Sequence, residues 1–300
     1  MFVSFKRCLT LSVTTFLLAL ILGCAPQTTS TSSPKPVSVR PAPQPAQTTV
    51  AQTTSTSTSV HLTLGNPSRA TTSTSNGDNY LMVKPQYALS YNKTNGTPNW
   101  VSWQLNRSWL GDTPRQNNFR PDPALPTDWY HVKPSDYTNS GYDRGHMTPS
   151  EDRGKTVADN SATFLMTNII PQAPDLNRGP WAYLEDYCRD LVTKQGKELY
   201  VISGGYGTQG NLANGKVTIP AKTWKVIVVL DSAGLGVKGV TTSTRVIAVM
   251  IPNSDEIRKA NWKSYRTTVR QIESSTGYNL LSNVPASVQN VIETKADNNE

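Results

Sequence analysis

Between residues 25 and 59 the chain is almost entirely Thr, Ser, Pro, Gln, Ala and Val, and this break confines any folded core to the residues after position 59. So little apolar surface cannot offset the entropy of ordering the chain, and the stretch reads as a disordered linker. Ahead of it, Lys6 and Arg7 precede one apolar run, Thr14 to Gly23, followed by small residues. That pattern describes a secretory signal peptide, and the run is too short to span a bilayer comfortably. Ile21-Leu22-Gly23-Cys24 has the form of a bacterial lipobox, with Leu22 an uncommon residue before the Gly. Lipidation at Cys24 and ordinary cleavage both stay open; a lipid would anchor the chain without making it span the membrane. The expected division is a leader over 1–24, a linker over 25–59 and a folded domain over 60–300. The protein is expected to be exported: periplasmic, lipid-anchored at the cell envelope, or secreted.

The sequence is 36% hydrophobic and 17% charged, enough to bury a core. Its formal charge is +8, and residues 1–59 hold Lys6, Arg7, Lys35 and Arg40 with no acid. Setting those four aside leaves 25 basic against 21 acidic residues, a mild +4. That excess suits a polyanionic partner and equally suits an ordinary basic surface. Of the three cysteines, Cys8 and Cys24 fall in the leader, so Cys188 is left without a partner for a disulfide. A domain of this size can do without one. Cys188 lies on the apolar face of a helical pattern and reads as core filler, not as a nucleophile. No His-Glu-x-x-His occurs, which sets zinc proteases aside.

Alternation or short apolar runs predict strands at Val60–Leu64, Tyr87–Tyr91, Trp100–Leu105, Phe164–Ile170, Glu198–Ser203, Lys225–Leu230 and Arg245–Ile251. Helical spacing predicts helices over about Pro180–Lys194, Ala260–Glu273 and Pro285–Glu293. In the first, Trp181, Leu184, Cys188 and Leu191 share a face, and Pro180 suits the first helical position. Strands mixed with late helices suggest an α+β or three-layer domain.

Three histidines occur. His61 and His131 read as structural. His146 sits in Asp143-Arg144-Gly145-His146, bounded by Gly141 and Pro149, and the stretch reads as a functional loop. A second polar cluster comes later: Thr167-Asn168-Ile169-Ile170-Pro171-Gln172, then Asn177, with Glu185 eight residues on. A hard cation such as Mg2+ favours oxygen ligands and keeps most of its waters, so one amide oxygen and a nearby carboxylate would fit it. By spacing alone, a helix cap at Asn177 and a surface ion pair at Glu185 explain these residues more simply.

Taken in order, these blocks resemble the DNA/RNA non-specific endonuclease family, the ββα-metal or His-Me finger nucleases. The likeness is to its cyanobacterial sugar-nonspecific members, over most of residues 60–290. It implies an α+β, ββα-metal fold with a central, mainly antiparallel sheet flanked by helices. It also implies hydrolysis of phosphodiester bonds in DNA and RNA by a one-metal mechanism using Mg2+ or Mn2+. His146 matches the general base and Asn177 the protein ligand to the metal. Glu185 matches the acid that orients water on it, and so also counts with the metal site. Arg115 matches the arginine facing the scissile phosphate, Arg144 belongs to the motif, and Asn168 matches an Asn close to the histidine. Asp143 would orient the loop. Lys133, Arg153, Lys155 and Arg178 flank these residues and could grip neighbouring phosphates or be plain surface charges. DNA and RNA are the implied partners, and the family admits a polypeptide inhibitor. The alternative is an exported nucleic-acid-binding or uptake protein without activity, against which the intact His146, Asn177 and Glu185 argue.

Overall fold

The computed structural model describes residues 59–299; the expected leader, Cys24 and the expected linker up to residue 58 lie outside the described residues. The strands are β1 (Tyr80–Val83), β2 (Ala88–Asn92), β3 (Thr97–Leu105), β4 (Asp143–His146), β5 (Ile169–Gln172), β6 (Glu198–Tyr206), β7 (Gly210–Leu212), β8 (Val217–Ile219), β9 (Lys222–Leu230), β10 (Arg245–Pro252) and β11 (Arg266–Thr267). The helices are α1 (Val157–Ala162), α2 (Pro174–Leu176), α3 (Ala182–Gln195), α4 (Val269–Thr276) and α5 (Ala286–Ile292).

Seven strands form one sheet in the order β1-β2-β3-β6-β9-β10-β11, every neighbouring pair antiparallel. An alternating strand has one wet face, whereas an unbroken apolar run such as Val226–Leu230 needs cover on both. Both faces are covered. Val201, Ile227, Val229, Ile247 and Val249 pack in one cluster with Leu184, Cys188 and Leu191 of α3. Tyr200, Trp224, Val226, Val228 and Val246 pack in another with Val269, Ile272 and Ile292 of α4 and α5. The expected central antiparallel sheet with flanking helices is therefore present, and Cys188 is a buried core residue.

On the α3 side, β4 and β5 pair antiparallel, with His146 opposite Ile169 and Asp143 opposite Gln172. The helix then comes at once, giving a strand–strand–helix unit. It starts at Pro174, earlier than the sequence suggests, and Pro180 lies inside it. Proline has no N–H to give the helical ladder. The chain accommodates this with a π turn over Asn177–Trp181, kinked at Gly179 (φ −122°, ψ −119°). Gly179 lies so close to the backbone of Arg258 that a Cβ would stand 2.6 Å from that carbonyl oxygen.

Four expectations need correction. Val60–Leu64 is not a strand: Val60–Leu62 is a 3-10 turn begun by Ser59, whose hydroxyl accepts from the His61 amide at 3.3 Å. The turn places the buried His61 ring between the Pro85 carbonyl (2.7 Å) and the Gln104 amide (3.2 Å), which is its structural role. Phe164–Ile170 is strand only from Ile169, because Met166–Asn168 turns. The single helix expected over Ala260–Glu273 divides into a turn at Trp262–Tyr265, the edge strand β11 and α4. Thr268 and Gln271 cap α4 reciprocally, and this fixes its start. Asp143–His146 is a strand and not a loop. Strand β1 was not foreseen.

Candidate active site

The glycine of Asp143-Arg144-Gly145-His146 has a packing reason. The buried side chain of Gln172, from β5, lies across it, and a Cβ at Gly145 would stand 2.0 Å from Gln172 Oε1. The two motif blocks therefore interlock. Asn168 fastens the next stretch. Its Oδ1 accepts from the Thr148 amide at 3.0 Å, and its Nδ2 donates to the carbonyls of Thr148 and Thr163, each at 2.9 Å. The chain leaving His146 is thus held by both polar groups of Thr148. Loss of that amide would strand buried partners at about 1–3 kcal/mol each.

Asp143 joins the strand to the helix. Its carboxylate accepts from Asn177 Nδ2 at 2.9 Å and from Arg178 Nε and Nη2 at 2.8 and 2.6 Å. A carboxylate can only accept, so it fixes the Asn177 amide with nitrogen toward Asp143 and leaves the oxygen for the cleft. Both Asn177 and His146 line that cleft, of about 330 Å³, together with Arg115, Arg144, Arg178, Glu185 and Arg189. The sequence-predicted catalytic and metal residues are thereby brought together, except for Asn168, which is fully buried and acts through the backbone of Thr148.

The His146 ring is seated by aromatic edges, 4.9 Å from Phe164 and 5.3 Å from Phe119 between centroids. Its Nε2 has no hydrogen-bond partner among the described residues. Burial, with the charge of Arg115 adding, lowers its pKa from 6.5 to about 3. The imidazole is therefore neutral near pH 7, with a nitrogen able to accept a proton. The same two rings hold the cations: Arg115 lies over Phe164 at 4.9 Å and Arg144 over Phe119 at 4.6 Å. Arg115 also donates to Ser150 Oγ at 2.6 Å.

The four cleft arginines differ in their commitments. Arg178 is held by Asp143, and Arg189 by Glu151, Asp152 and Asp186. Arg115 and Arg144 meet no carboxylate among the described residues, so their charge is available to an anion. Arg153, a candidate phosphate contact by sequence position, is instead fully buried. Its guanidinium donates to the carbonyls of Gln86, Gln104 and Asp152 and stacks on Trp109 at 4.2 Å. Lys133 and Lys155 are exposed and stand outside the cleft lining.

Glu185 sits on the cleft floor, its Oε1 3.0 Å from Lys225 Nζ. Burial pushes its carboxyl up, and the charges of Lys225 and Arg189 oppose the shift. A cluster of three or more His, Cys, Asp or Glu that could cage a metal is absent among the described residues. Of the three carboxylates lining the cleft, Glu151 and Asp186 are paired with Arg189, and Glu185 with the oriented Asn177 amide oxygen makes a donor set suited to a hard, mostly hydrated divalent ion. Lys225 and Arg189 were missed in the sequence. A lysine inside the apolar run Trp224–Leu230 was a usable signal, as was an arginine one helical turn after Glu185.

Comparison with known proteins bears on this cleft. The profile of the DNA/RNA non-specific endonuclease family matches residues 64–287. A nuclease of Nostoc sp. is 59% identical over 80% of this chain and 86% of its own length. A nuclease of Serratia marcescens is 30% identical over 74% of this chain and 82% of its own. The mitochondrial nuclease EXOG of Xenopus laevis is 31% identical over 64% of this chain, which spans 55% of that relative. Among solved structures, a chain of the EndoG/EndoGI complex superposes with a TM-score of 0.63 at 23% identity, covering 75% of this chain and 91% of that one.

The histidine environment predicts a pH dependence of stability. The folded chain keeps His146 neutral down to about pH 3, while the unfolded chain takes up a proton near 6.5. Stability from this site is whole above about pH 6.5 and is lost as pH falls from there toward 3. Glu293, pushed up to about 7 by burial, contributes with the opposite sign, so the comparison is between wild type and His146→Gln in EDTA. Denaturant unfolding at pH 7.5 and pH 5 should show a smaller acid loss in the variant. Equal losses would contradict the neutral, buried imidazole.

Proposed function

The chain belongs to the DNA/RNA non-specific endonuclease family, whose members are divalent-metal-dependent nucleases, and we propose that it cuts both nucleic acids in the cleft between β4 and α3 with His146 as general base. The carrying observation is that a neutral imidazole, two carboxylate-free arginines and an oriented amide oxygen share one cleft.

Hydrolysis of a phosphodiester builds negative charge on the phosphoryl oxygens and on the departing 3′ oxygen. Asn177 Oδ1 would hold the divalent ion, Mg2+ or Mn2+, which would supply counter-charge to that developing negative charge. His146 takes the proton of the attacking water, its ring being neutral near pH 7. Arg115 and Arg144 face the phosphate, and their seats on Phe164 and Phe119 hold them in place before substrate arrives. Glu185 accepts hydrogen bonds from water on the cleft floor. Asp143 and Asn168 position Asn177 and His146. These contacts grasp phosphate and sugar and read no base edge, which supports action on either nucleic acid with little regard for sequence. A non-catalytic nucleic-acid-binding protein would not need the proton acceptor at His146.

Export is supported by Lys6 and Arg7 before the apolar run Thr14–Gly23, and Cys24 is the residue a lipid would modify. The linker over 25–59 would then hold the nuclease domain, 60–300, away from a membrane face.

Purified protein should degrade plasmid and RNA with Mg2+ and stop in EDTA. His146→Ala should lose nearly all turnover, on the order of 100-fold or more, while still binding DNA. Asn177→Ala should recover in part with excess Mg2+ or Mn2+. Wild-type rates in either variant would remove that residue from its role, and intact plasmid with wild-type protein would favour the non-catalytic reading. Mass spectrometry of protein from its native host should find a mature chain starting at or after Cys24; one starting at Met1 would contradict export.

A further inference from the structure

Lys225 is a charged residue in the middle of a sheet buried on both faces. Its strand β9 is covered from Thr223 to Leu230, and the Lys225 side chain is 1% exposed. Alternation puts it on the α3 side with Ile227 and Val229, where the neighbours are aromatic. Its ammonium lies 4.0 Å from the ring centroid of Trp181 and 5.8 Å from that of Trp103. Among the described residues its one hydrogen-bond partner is Glu185 Oε1, at 3.0 Å.

Taking an ammonium out of water is costly, and a buried ion pair replaced by apolar residues of similar volume often leaves stability unchanged or raised. Packing between two tryptophans therefore gives no reason to prefer lysine over methionine here. The group that lysine serves is Glu185, which reaches the cleft floor from α3. Arg189, one turn further along, is already divided among Glu151, Asp152 and Asp186, and Asp152 is itself held by the Trp103 indole N–H at 2.9 Å.

We propose that Lys225 is a positioning residue that pins Glu185 Oε1 from the α3-facing side of the sheet and so leaves Oε2 for the water and the divalent ion that the cleft would hold. The cation–π seat on Trp181 fixes the ammonium, the ammonium fixes one carboxylate oxygen, and the carboxylate rotamer is set in turn. This inference rests on the role of Glu185 as the acid that orders water beside the metal.

Lys225→Met keeps the apolar stem and removes the charge. Mn2+ affinity, titrated by calorimetry without substrate, should weaken about 10-fold or more, as is typical when a partner of a metal-site residue is lost. The kcat should fall by a similar factor with KM for DNA little changed, and near-ultraviolet circular dichroism should show Trp103 and Trp181 in native surroundings. In a Glu185→Gln background, adding Lys225→Met should change neither quantity further. A folded Lys225→Met protein with wild-type Mn2+ affinity and kcat would overturn the proposal, as would an undiminished second drop in the Glu185→Gln background. Where Lys225→Met does not accumulate as folded protein, Lys225→Gln takes its place with the same readouts and the same overturning result. Wild-type kcat in Glu185→Gln would instead overturn the role of Glu185 itself, a result separable from an impaired Glu185→Gln beside an unaffected Lys225→Met.

Discussion

One carboxylate, Asp143, ties the strand that carries His146 to the helical turn that carries Asn177. Its two oxygens take one hydrogen bond from Asn177 and two from Arg178, and they thereby set the distance and the facing of β4 against the start of α3. Everything in the cleft depends on that junction. Without it Asn177 could turn its amide either way, and the helix would have no polar anchor on the strand. The π turn has the same consequence from the helix side. A proline at position 180 and a glycine at 179 let the helix begin early and bend, so that Asn177 belongs to a helical turn and still borders the cleft.

The cleft floor and the core behind it concentrate groups that folding would otherwise avoid. Lys225, Arg153, Asp152 and Glu185 are ionisable side chains set among aromatic and aliphatic neighbours. The three most buried are compensated in different ways: Arg153 by three backbone carbonyls and an indole face, Lys225 by a carboxylate and an indole face, Asp152 by an arginine and an indole N–H. By contrast Arg115 and Arg144 are held by rings and not by acids. The division is chemically consistent. Cations that support the scaffold have their charge satisfied inside the protein, and cations that would meet a phosphate keep theirs.

The parts legible in the sequence were those encoded within a few neighbouring residues. Asp143-Arg144-Gly145-His146, the Asn168–Gln172 block and the Asn177–Glu185 spacing could be read because each is local, and their order along the chain supplied the rest. The long buried strands were legible for the same reason, as unbroken runs such as Val226–Leu230. What failed was set by distant contacts. Val60–Leu64 alternates like a strand, but His61 is drawn into a pocket formed by Pro85 and Gln104, and the backbone turns to let it in. Arg153 looked like a phosphate contact or a surface charge because its carbonyl partners come from Gln86 and Gln104, far away in sequence. Asp143–His146 reads as a loop by composition, yet Gly145 is a packing glycine under Gln172.

On the proposed reading, cleavage would need one phosphodiester held between the His146 imidazole and a divalent ion on the Asn177 oxygen. A crystal structure of the inactive His146→Ala protein with a short DNA duplex and Mg2+ tests this most directly. The expected result is a single ion on Asn177 Oδ1, in contact with a backbone phosphate that lies beside the vacated ring and within reach of Arg115. An ion bound away from Asn177, or DNA seated outside the cleft between β4 and α3, would contradict it.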